Sequence, residues 1–425
     1  MRQMKDSGIE WIGDIPASWK TNTVFQLFTQ VKNKNTDLQE QNLLSLSYGR
    51  IKRKDIDTTD GLLPESFDGY NIIEADDIVL RLTDLQNDHK SLRVGLATER
   101  GIVTSAYLTI RNRSESLAKY LYYYLHSFDI AKGFYGMGAG VRQGLNWDGM
   151  KWLKVLTPPV PEQQRIVNFL DAECYRIDAV IEQTRSSIEE YKKLKQAVIT
   201  QAVTKGIRPN RHMKDSGIAW IGEIPAEWDM TKVKYVATFQ PSCDTSRLTE
   251  ESEITYTPME CIKNGYFIDN TAPFGNVAAS LTPYNDGDIV IAKVTPCFEN
   301  GNIAIMENLS SGFGLGSSEL FVLRPHSIET KFLFYWLQND LFMQQGCATM
   351  TGTGGLKRVS PYFVKNCPLP FPEISEQEEI VSYLDKKTKE LDALMVKKEN
   401  YLAELEAYKK SFIFEYVTGK KEVPA

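Results

Sequence analysis

The sequence is poor in the features that mark secreted, membrane-spanning and metal-binding proteins. Its 425 residues contain six cysteines and four histidines, and no two cysteines form a Cys-x-x-Cys pair. No apolar run approaches the ~18–20 residues of a membrane span. The opening residues, MRQMKDSGIEW, lack an apolar signal segment. Because scattered cysteines fit a reducing compartment, we expect a soluble, cytoplasmic protein without a structural metal.

Signatures of catalysis are also missing. The chain has no Walker A motif, no G-x-G-x-x-G after a strand and no H-E-x-x-H. The segment Thr157-Pro158-Pro159-Val160 lacks both ends of the tetrad that marks amino-methyltransferases. Together these absences favour a binding protein over an enzyme. The net charge of −6, from 49 basic and 55 acidic residues, means that any binding of nucleic acid relies on local basic patches.

A long internal repeat dominates what the sequence does contain. Residues 4–19 read MKDSGIEWIGDIPASW and residues 213–228 read MKDSGIAWIGEIPAEW, with thirteen of sixteen positions identical. Shorter matches follow in the same order, at offsets of 211 to 214 residues: Ile51-Lys52 with Ile262-Lys263, Asp77–Leu80 with Asp288–Ile291, 119–125 with 331–337, Glu162-Gln163 with Glu376-Gln377, and Leu170-Asp171 with Leu384-Asp385. One fold is therefore used twice.

Each half ends in a long helical pattern. Pro158, Pro159 and Pro161 stand immediately before Glu162, and no further proline occurs before Pro209. Between them apolar residues recur at steps of three, four and seven, and the same stripe returns 214 residues later. Helices of about 40 residues with such a stripe are typical of coiled coils. A homodimeric zipper is one possibility; we favour pairing of the two helices within the chain.

The sequence thus predicts an α+β fold. Two tandem-repeat globular α/β domains alternate with two long helices that form an antiparallel coiled coil. The expected boundaries are 1–158 for the first domain, 159–207 for the first helix, 208–370 for the second domain and 371–425 for the second helix. The aromatic segments 119–125 and 331–337 are expected to be buried helices.

Basic and amide side chains cluster at matching places in the two halves. A basic turn spans residues 50–54, and residues 261–265 are its expected counterpart. Other cations follow the repeated strands and the Gly-rich stretches 133–144 and 352–355. Arg and Lys suit guanine edges and phosphates, and Asn suits adenine. The candidate DNA contacts are Arg50, Lys52, Arg53, Lys54, Arg81, Arg93, Arg142, Gln143, Lys263, Asn264, Lys293, Lys357 and Arg358.

These features resemble the specificity subunits of type I restriction-modification systems. The resemblance rests on the repeated segment 5–16, on the Pro158–Gln164 sequence that opens the first helix, on its looser copy 370–377, and on the strand 288–294 followed by 301–305. It covers essentially the whole chain. The first half departs from the second at this strand, with Leu80-Arg81-Leu82-Thr83-Asp84 opposite Ile291–Thr295.

The resemblance implies a non-catalytic DNA-binding subunit. Each globular domain becomes a target recognition domain for one half of a bipartite, asymmetric sequence, and the conserved helices become spacers that set the unread gap. The implied partners are double-stranded DNA, two methyltransferase subunits and two restriction subunits. The chain itself would hold no cofactor, because S-adenosylmethionine, ATP and Mg²⁺ serve the partner subunits.

Two alternatives remain open. The chain could be the DNA-recognition part of a combined type II restriction-methylation system, in which case no neighbouring methyltransferase gene is expected. It could also be a non-DNA scaffold with two lobes on a coiled coil. Steep salt dependence of binding distinguishes DNA contact from such a scaffold.

Overall fold

The structure is a computed structural model that describes residues 2–56, 66–85, 87–88, 91–138, 144–277, 280–353 and 355–424. The chain divides into two compact units. Unit 1 comprises residues 1–185 and 400–425, and unit 2 comprises residues 186–399. Within the described ranges no helix is both long and apolar enough to cross a membrane.

Short strands and a few helices make up each half of the chain. The first half contains β1 (Met4–Asp6), β2 (Asp14–Pro16), β3 (Lys20–Thr23), α1 (Val24–Leu27), β4 (Phe28–Gln30), β5 (Leu44–Ser47), β6 (Arg50–Arg53), β7 (Asn71–Ile73), β8 (Ile78–Leu80), β9 (Val94–Leu96), β10 (Gly101–Val103), β11 (Leu108–Asn112), α2 (Ala118–Ile130), α3 (Trp147–Met150), β12 (Lys154–Thr157) and α4 (Val160–Lys205).

The second half repeats this order with additions. It contains β13 (Met213–Asp215), β14 (Glu223–Pro225), β15 (Asp229–Lys232), α5 (Val233–Val236), β16 (Ala237–Phe239), β17 (Glu253–Thr257), β18 (Thr271–Pro273), β19 (Thr282–Asn285), β20 (Ile289–Ala292), β21 (Ile303–Ile305), β22 (Phe313–Gly316), β23 (Leu320–Pro325), α6 (Thr330–Gln338), α7 (Asp340–Ala348), β24 (Thr351–Thr353), β25 (Leu356–Arg358), α8 (Pro361–Asn366), β26 (Pro368–Phe371) and α9 (Ile374–Val417).

The strongest sequence repeat folds into the same hairpin twice. In unit 1 β1 pairs with β2, and in unit 2 β13 pairs with β14, in the same antiparallel register. Asp6 accepts a hydrogen bond from the Gly8 amide at 2.9 Å, and Asp215 accepts one from Gly217 at 3.0 Å. Both glycines have positive φ, a conformation that costs glycine little. The repeat is therefore a turn signature, and the Trp that ends each copy is buried.

A four-stranded antiparallel sheet lies at the centre of each unit. Its order is β4-β11-β8-β9 in unit 1 and β16-β23-β20-β21 in unit 2. Both sheets carry the same buried ion pair. Arg111 donates to Asp77 through Nε and Nη2 at 2.7 Å each, and Arg324 donates to Asp288 at the same distances. Both carboxylates are fully buried, and the paired carboxylate raises the pKa of Arg324.

Unit 2 has a second, mixed sheet, β18-β17-β22-β19, in which β17 and β22 run parallel. The strand that pairs with β17 in antiparallel fashion is β18, whereas in unit 1 the strand that pairs with β5 is β6. The expectation that residues 261–265 are the counterpart of residues 50–54 is therefore wrong. Residues 261–265 lie in the longer connection between β17 and β18, which has no equivalent in the short β5–β6 turn.

A buried aromatic helix joins each globular part to a long helix. In unit 1 Asp171 of α4 accepts hydrogen bonds from Lys119 Nζ at 2.6 Å and from the Tyr123 hydroxyl at 2.8 Å. Gln163 adds a bond from the Leu117 amide to its Oε1 at 2.8 Å. These contacts explain why the Glu-Gln and Leu-Asp pairs recur in the sequence.

The equivalent contacts recur in unit 2. Asp385 of α9 accepts hydrogen bonds from Lys331 Nζ at 2.8 Å and from the Tyr335 hydroxyl at 2.7 Å. Gln377 accepts the amide of Glu329 at 2.9 Å. The long helix therefore binds the aromatic helix through equivalent Asp and Gln side chains in both units.

The two long helices pair antiparallel inside each unit. In unit 1 the first part of α4 lies against the last part of α9, since the rings of Phe169 and Phe412 lie 5.6 Å apart and Lys409 Nζ lies 2.6 Å from Asp178. In unit 2 the last part of α4 lies against the first part of α9, where Lys195 Nζ lies 2.8 Å from Asp392. Leu194 of α4 is 48% exposed, whereas Ile199 and Val203 of the same helix are buried.

The fold class predicted from the sequence is confirmed. A set of mixed α and β elements occurs twice, and one long helix follows each set. The three boundaries between the four predicted domains, after residues 158, 207 and 370, remain predictions. The observed α4 begins at Val160 and α9 begins at Ile374.

The buried Asp–Arg pair yields a stability prediction. Asp288→Asn leaves Arg324 beside a neutral amide and weakens the bond from the Asn285 amide, which is 2.7 Å from Asp288 Oδ2. Because charged hydrogen bonds contribute about 1.5–3 kcal/mol each, we expect the free energy of unfolding to fall by about 2–3 kcal/mol in urea titrations. As a control, Glu379→Gln removes the partner of Arg208, where both side chains are half exposed. No measurable change is expected there, and equal losses in both variants would refute the prediction.

Candidate nucleic-acid interface

The basic turn of unit 1 is a tight β-hairpin. Strands β5 and β6 are joined by Tyr48 and Gly49, which both have positive φ. Two consecutive residues with positive φ are typical of the two-residue turns that match the strand twist. Tyr48 is 77% exposed. The hairpin therefore projects its cations from a rigid two-stranded base.

Two of the hairpin cations are neutralised and two are not. Arg50 lies 3.1 Å from Asp178 of α4, and Arg53 binds Glu99 through Nε at 2.8 and 2.9 Å. Arg53 holds the pKa of Glu99 below its usual value. Lys52 and Lys54 are exposed and form no ion pair with any residue that the structure describes. These two lysines are the cations of the hairpin that are available to phosphate.

The predicted contacts beside the central sheet of unit 1 differ in accessibility. Arg81 follows β8, is partly exposed and lies 3.6 Å from Asp88. Arg93 is fully buried, and its guanidinium donates to the carbonyls of Thr83 at 2.8 Å and Asp88 at 2.6 Å. It also stacks on Tyr135 at 5.1 Å. Since a phosphate contact would require Arg93 to break these bonds, we leave it out of the candidate surface; it fixes the segment after β8.

Lys263 and Asn264 lie in a turn of unit 2. The Lys263 amide donates to the Tyr266 carbonyl at 2.9 Å. The Asn264 carboxamide is tied at both ends, since its Oδ1 accepts from Gln338 Nε2 at 2.6 Å and its Nδ2 donates to the Asn300 carbonyl at 3.3 Å. Asn264 is exposed, but its orientation is set by the protein.

Three of the predicted residues come together in unit 2. Arg358 binds Glu319 through Nε at 2.9 Å and Nη2 at 2.7 Å, and Lys293 Nζ lies 3.7 Å from the same carboxylate. Lys357 is the residue before Arg358 on β25 and is exposed. Lys293 and Arg358 border a groove of about 730 Å³, whose lining also includes Trp220, Phe321, Tyr362 and Phe363.

The remaining predicted contacts, Arg142 and Gln143, lie outside the described residues. Glu319, which the sequence analysis missed, is the centre of the unit 2 cluster. Its position in the turn before β23 offered no periodic signal. Among the residues placed by the structure, no group of His, Cys, Asp or Glu side chains could hold a metal ion.

Comparison with known proteins finds similarity over part of the chain. Residues 225–404 match the model of the type I restriction modification DNA specificity domain. The chain is also similar to the EcoAI specificity subunit of Escherichia coli, with 39% identity over 166 residues. Both matches are to specificity subunits or domains of type I restriction-modification systems.

The similarity to these relatives differs in extent. The EcoAI match covers 37% of this chain and 28% of that protein, so the chain spans less than a third of that relative's length in the match. Similarity to the putative type I restriction enzyme MjaX specificity subunit of Methanocaldococcus jannaschii is weaker at 24% identity, but it covers 97% of this chain and 96% of that protein.

A solved structure shares the fold. It was described in a study of complex assembly and conformational transition of the type I R-M system, and it superposes with a TM-score of 0.68. The match covers 96% of this chain and 99% of that one at 15% identity. At this identity the likeness concerns the fold alone, and it extends over both repeats.

The unpaired hairpin lysines generate a prediction for this site. If Lys52 and Lys54 touch phosphates, replacing both with alanine should reduce the slope of log K against log salt by about 0.9 per lost contact. The measurement is fluorescence anisotropy of a labelled 30-base-pair duplex over a salt series. Arg176→Ala is the control, because Arg176 is exposed on α4 and paired with Glu173. An unchanged slope for the double variant removes the hairpin from the interface.

Proposed function

We propose that this chain is the sequence-specific DNA-binding specificity subunit of a type I restriction-modification complex. Each globular part reads one half of a bipartite, asymmetric target. The antiparallel helices fix the unread gap and dock two methyltransferase subunits, with two restriction subunits completing the nuclease. The chain acts in the cytoplasm, where its DNA target lies.

One observation carries this proposal: a frame that occurs twice bears its exposed cations at different places in the two copies. Both units have the same central sheet, the same buried Asp–Arg pair and the same attachment to a long helix. At the edge of that frame unit 1 carries the hairpin lysines and unit 2 carries Lys293, Lys357 and Arg358. Two readers of different sequences need a shared scaffold with different contacting groups, since base contacts specify while phosphate contacts position.

The chemistry is assigned to the partner subunits. The chain serves as a non-catalytic reader that holds no cofactor of its own. Methylation draws on S-adenosylmethionine in the methyltransferase subunits, and translocation with cleavage draws on ATP and Mg²⁺ in the restriction subunits. This division agrees with a chain that carries no recognised catalytic motif in its sequence.

The direct test is a methylation map. The chain is co-expressed with the methyltransferase encoded beside it, and modified bases are located across the host genome by long-read sequencing. We expect one new motif with two short specified parts around a fixed gap. Expression of the methyltransferase alone is the control. Absence of any new motif, with the complex shown to assemble, would refute the proposed function.

The spacer role makes a second, quantitative prediction. Seven residues are inserted into both long helices, between Arg185 and Ser186 in α4 and between Glu399 and Asn400 in α9. Seven residues add about 10 Å of helix, or about three base pairs at 3.4 Å each. The mapped gap should lengthen by about that amount while both half-sites stay the same. A changed half-site with an unchanged gap would contradict the spacer role.

A further inference from the structure

The charged cluster at the rim of the unit 2 groove is held together by a single carboxylate. Glu319 receives two hydrogen bonds from Arg358, while Lys293 approaches it at 3.7 Å and donates to the neighbouring Ser318 carbonyl at 2.7 Å. The Arg358 guanidinium lowers the pKa of Glu319, so the carboxylate stays ionised near neutral pH. The side chain of Glu319 is 29% exposed. One anion therefore faces two cations at the edge of an open groove.

Glu319 also anchors an exposed hairpin. Strands β24 and β25 are exposed at every described position. Their links to the body of unit 2 include Thr295, whose Oγ1 donates to the Gly355 carbonyl at 2.8 Å and accepts the Lys357 amide at 2.9 Å. The Arg358–Glu319 pair is a second link. Within the described part of unit 2, Lys357 has no carboxylate partner, so Glu319 helps to fix the base from which this free cation projects.

The equivalent positions of unit 1 can be assigned from matched backbone hydrogen bonds. The Leu145 amide donates to Leu82 at 2.8 Å, and the Val359 amide donates to Lys293 at 2.9 Å. Leu82 is therefore the equivalent of Lys293, and Gly144, before Leu145, is the equivalent of Arg358.

The third equivalence follows from a turn. The Tyr107 amide donates to Thr104 at 3.1 Å, and the Leu320 amide donates to Ser317 at 3.2 Å. Both turns lead into the strand that pairs with the centre of the sheet. Ala106 therefore occupies the place of Glu319.

Unit 1 thus forms the same frame with no charge at any of the three places. A groove of about 390 Å³ lies there, and its lining includes Leu82, Ala106, Tyr107, Gly144, Asn146 and Trp147. A Cβ added at Gly144 would meet no atom closer than 3.8 Å, so the frame has room for a side chain there. The Lys293–Glu319–Arg358 cluster is consequently not a requirement of the fold.

From this contrast we infer that Glu319 is a positioning residue that sets the DNA selectivity of unit 2. The inference rests on the proposed function and deepens it. By pairing with Lys293 and Arg358, Glu319 weakens their sequence-independent attraction to phosphates. It also commits two donor nitrogens of Arg358 and so fixes the orientation of the guanidinium. An oriented Arg can make the bidentate contact that discriminates bases, whereas a free Arg binds any backbone.

The expected effect of Glu319→Gln is a gain of indiscriminate binding. Two released cations should steepen the salt slope on a random 30-base-pair duplex by up to about 1.8, at about 0.9 per phosphate. Binding of that duplex should tighten by about tenfold at low salt, an estimate from the same relation. Preference for the mapped motif over the random duplex should fall by a similar factor. Binding is measured with the methyltransferase complex used for the methylation map.

Two further variants separate this role from a structural one. Glu319→Gln combined with Arg358→Gln should return the slope about half of the way to that of the unmodified complex, by about 0.9, because Lys293 stays released. Glu379→Gln frees Arg208, which is not among the residues that line the groove, and should leave the slope unchanged. If Glu319→Gln weakens binding, leaves the slope unchanged and lowers the melting temperature, the carboxylate is merely structural and the inference is overturned.

A transplant of the unit 1 residues tests the same inference on sequence choice. The triple variant Lys293→Leu, Glu319→Ala and Arg358→Gly should fold, because unit 1 carries these residues in the same frame. Its methylation map should keep one half-site and show a changed or relaxed second half-site. An unchanged motif overturns the inference while leaving the proposed function intact. If the unmodified complex yields no bipartite motif, the proposed function and the inference fall together.

Discussion

The attachment of a short aromatic helix to a long one is the constraint on which each unit depends. In both units an Asp on the long helix accepts hydrogen bonds from a Lys and a Tyr on the aromatic helix, as Asp171 and Asp385 do. A Gln near the start of the long helix satisfies a backbone amide where the aromatic helix begins. Gln163 and Gln377 are buried, and a buried polar contact restricts geometry because an unsatisfied partner costs about 1–3 kcal/mol. The edge strand of the central sheet contacts the aromatic helix in both units, β9 against α2 and β21 against α6, so the helix also positions the sheet.

Much of this architecture can be predicted from the sequence because the sequence contains an internal repeat. The hairpin signature, the long helices and the buried aromatic helices each recur at a nearly constant offset, and each reflects local periodicity or turn chemistry. The recurring Glu-Gln and Leu-Asp pairs were visible too, although their contacts were not. The predicted equivalence of Ile51-Lys52 and Ile262-Lys263 was wrong. The connection between β17 and β18 is longer than that between β5 and β6, so the matching residues do not occupy equivalent positions.

The candidate site was harder to predict, since it is made by loops that meet in space. Glu319 and Arg358 are 39 positions apart, one in a turn and the other in an exposed hairpin, and no periodicity links them. Arg93 presents the opposite problem. It lies in a polar segment that looks solvated, yet its guanidinium replaces water by binding four backbone carbonyls, including Thr83 and Asp88. A charged side chain can be buried where the fold places several backbone carbonyls around it. The sequence does not show which carbonyls the fold will bring together.

The acidic composition is compatible with DNA binding once the placement of charge is considered. Many cations of the described residues are paired with carboxylates, so the net charge of −6 says little about the rim of each groove. A cation that is paired with a carboxylate attracts phosphate only weakly. Lysines without a carboxylate partner among the described residues, such as Lys52 and Lys357, would then carry a larger share of any attraction to a duplex. Because the frame beneath them is fixed by buried contacts, side chains at the rim can change without loss of the fold, as Leu82 and Lys293 at equivalent places demonstrate.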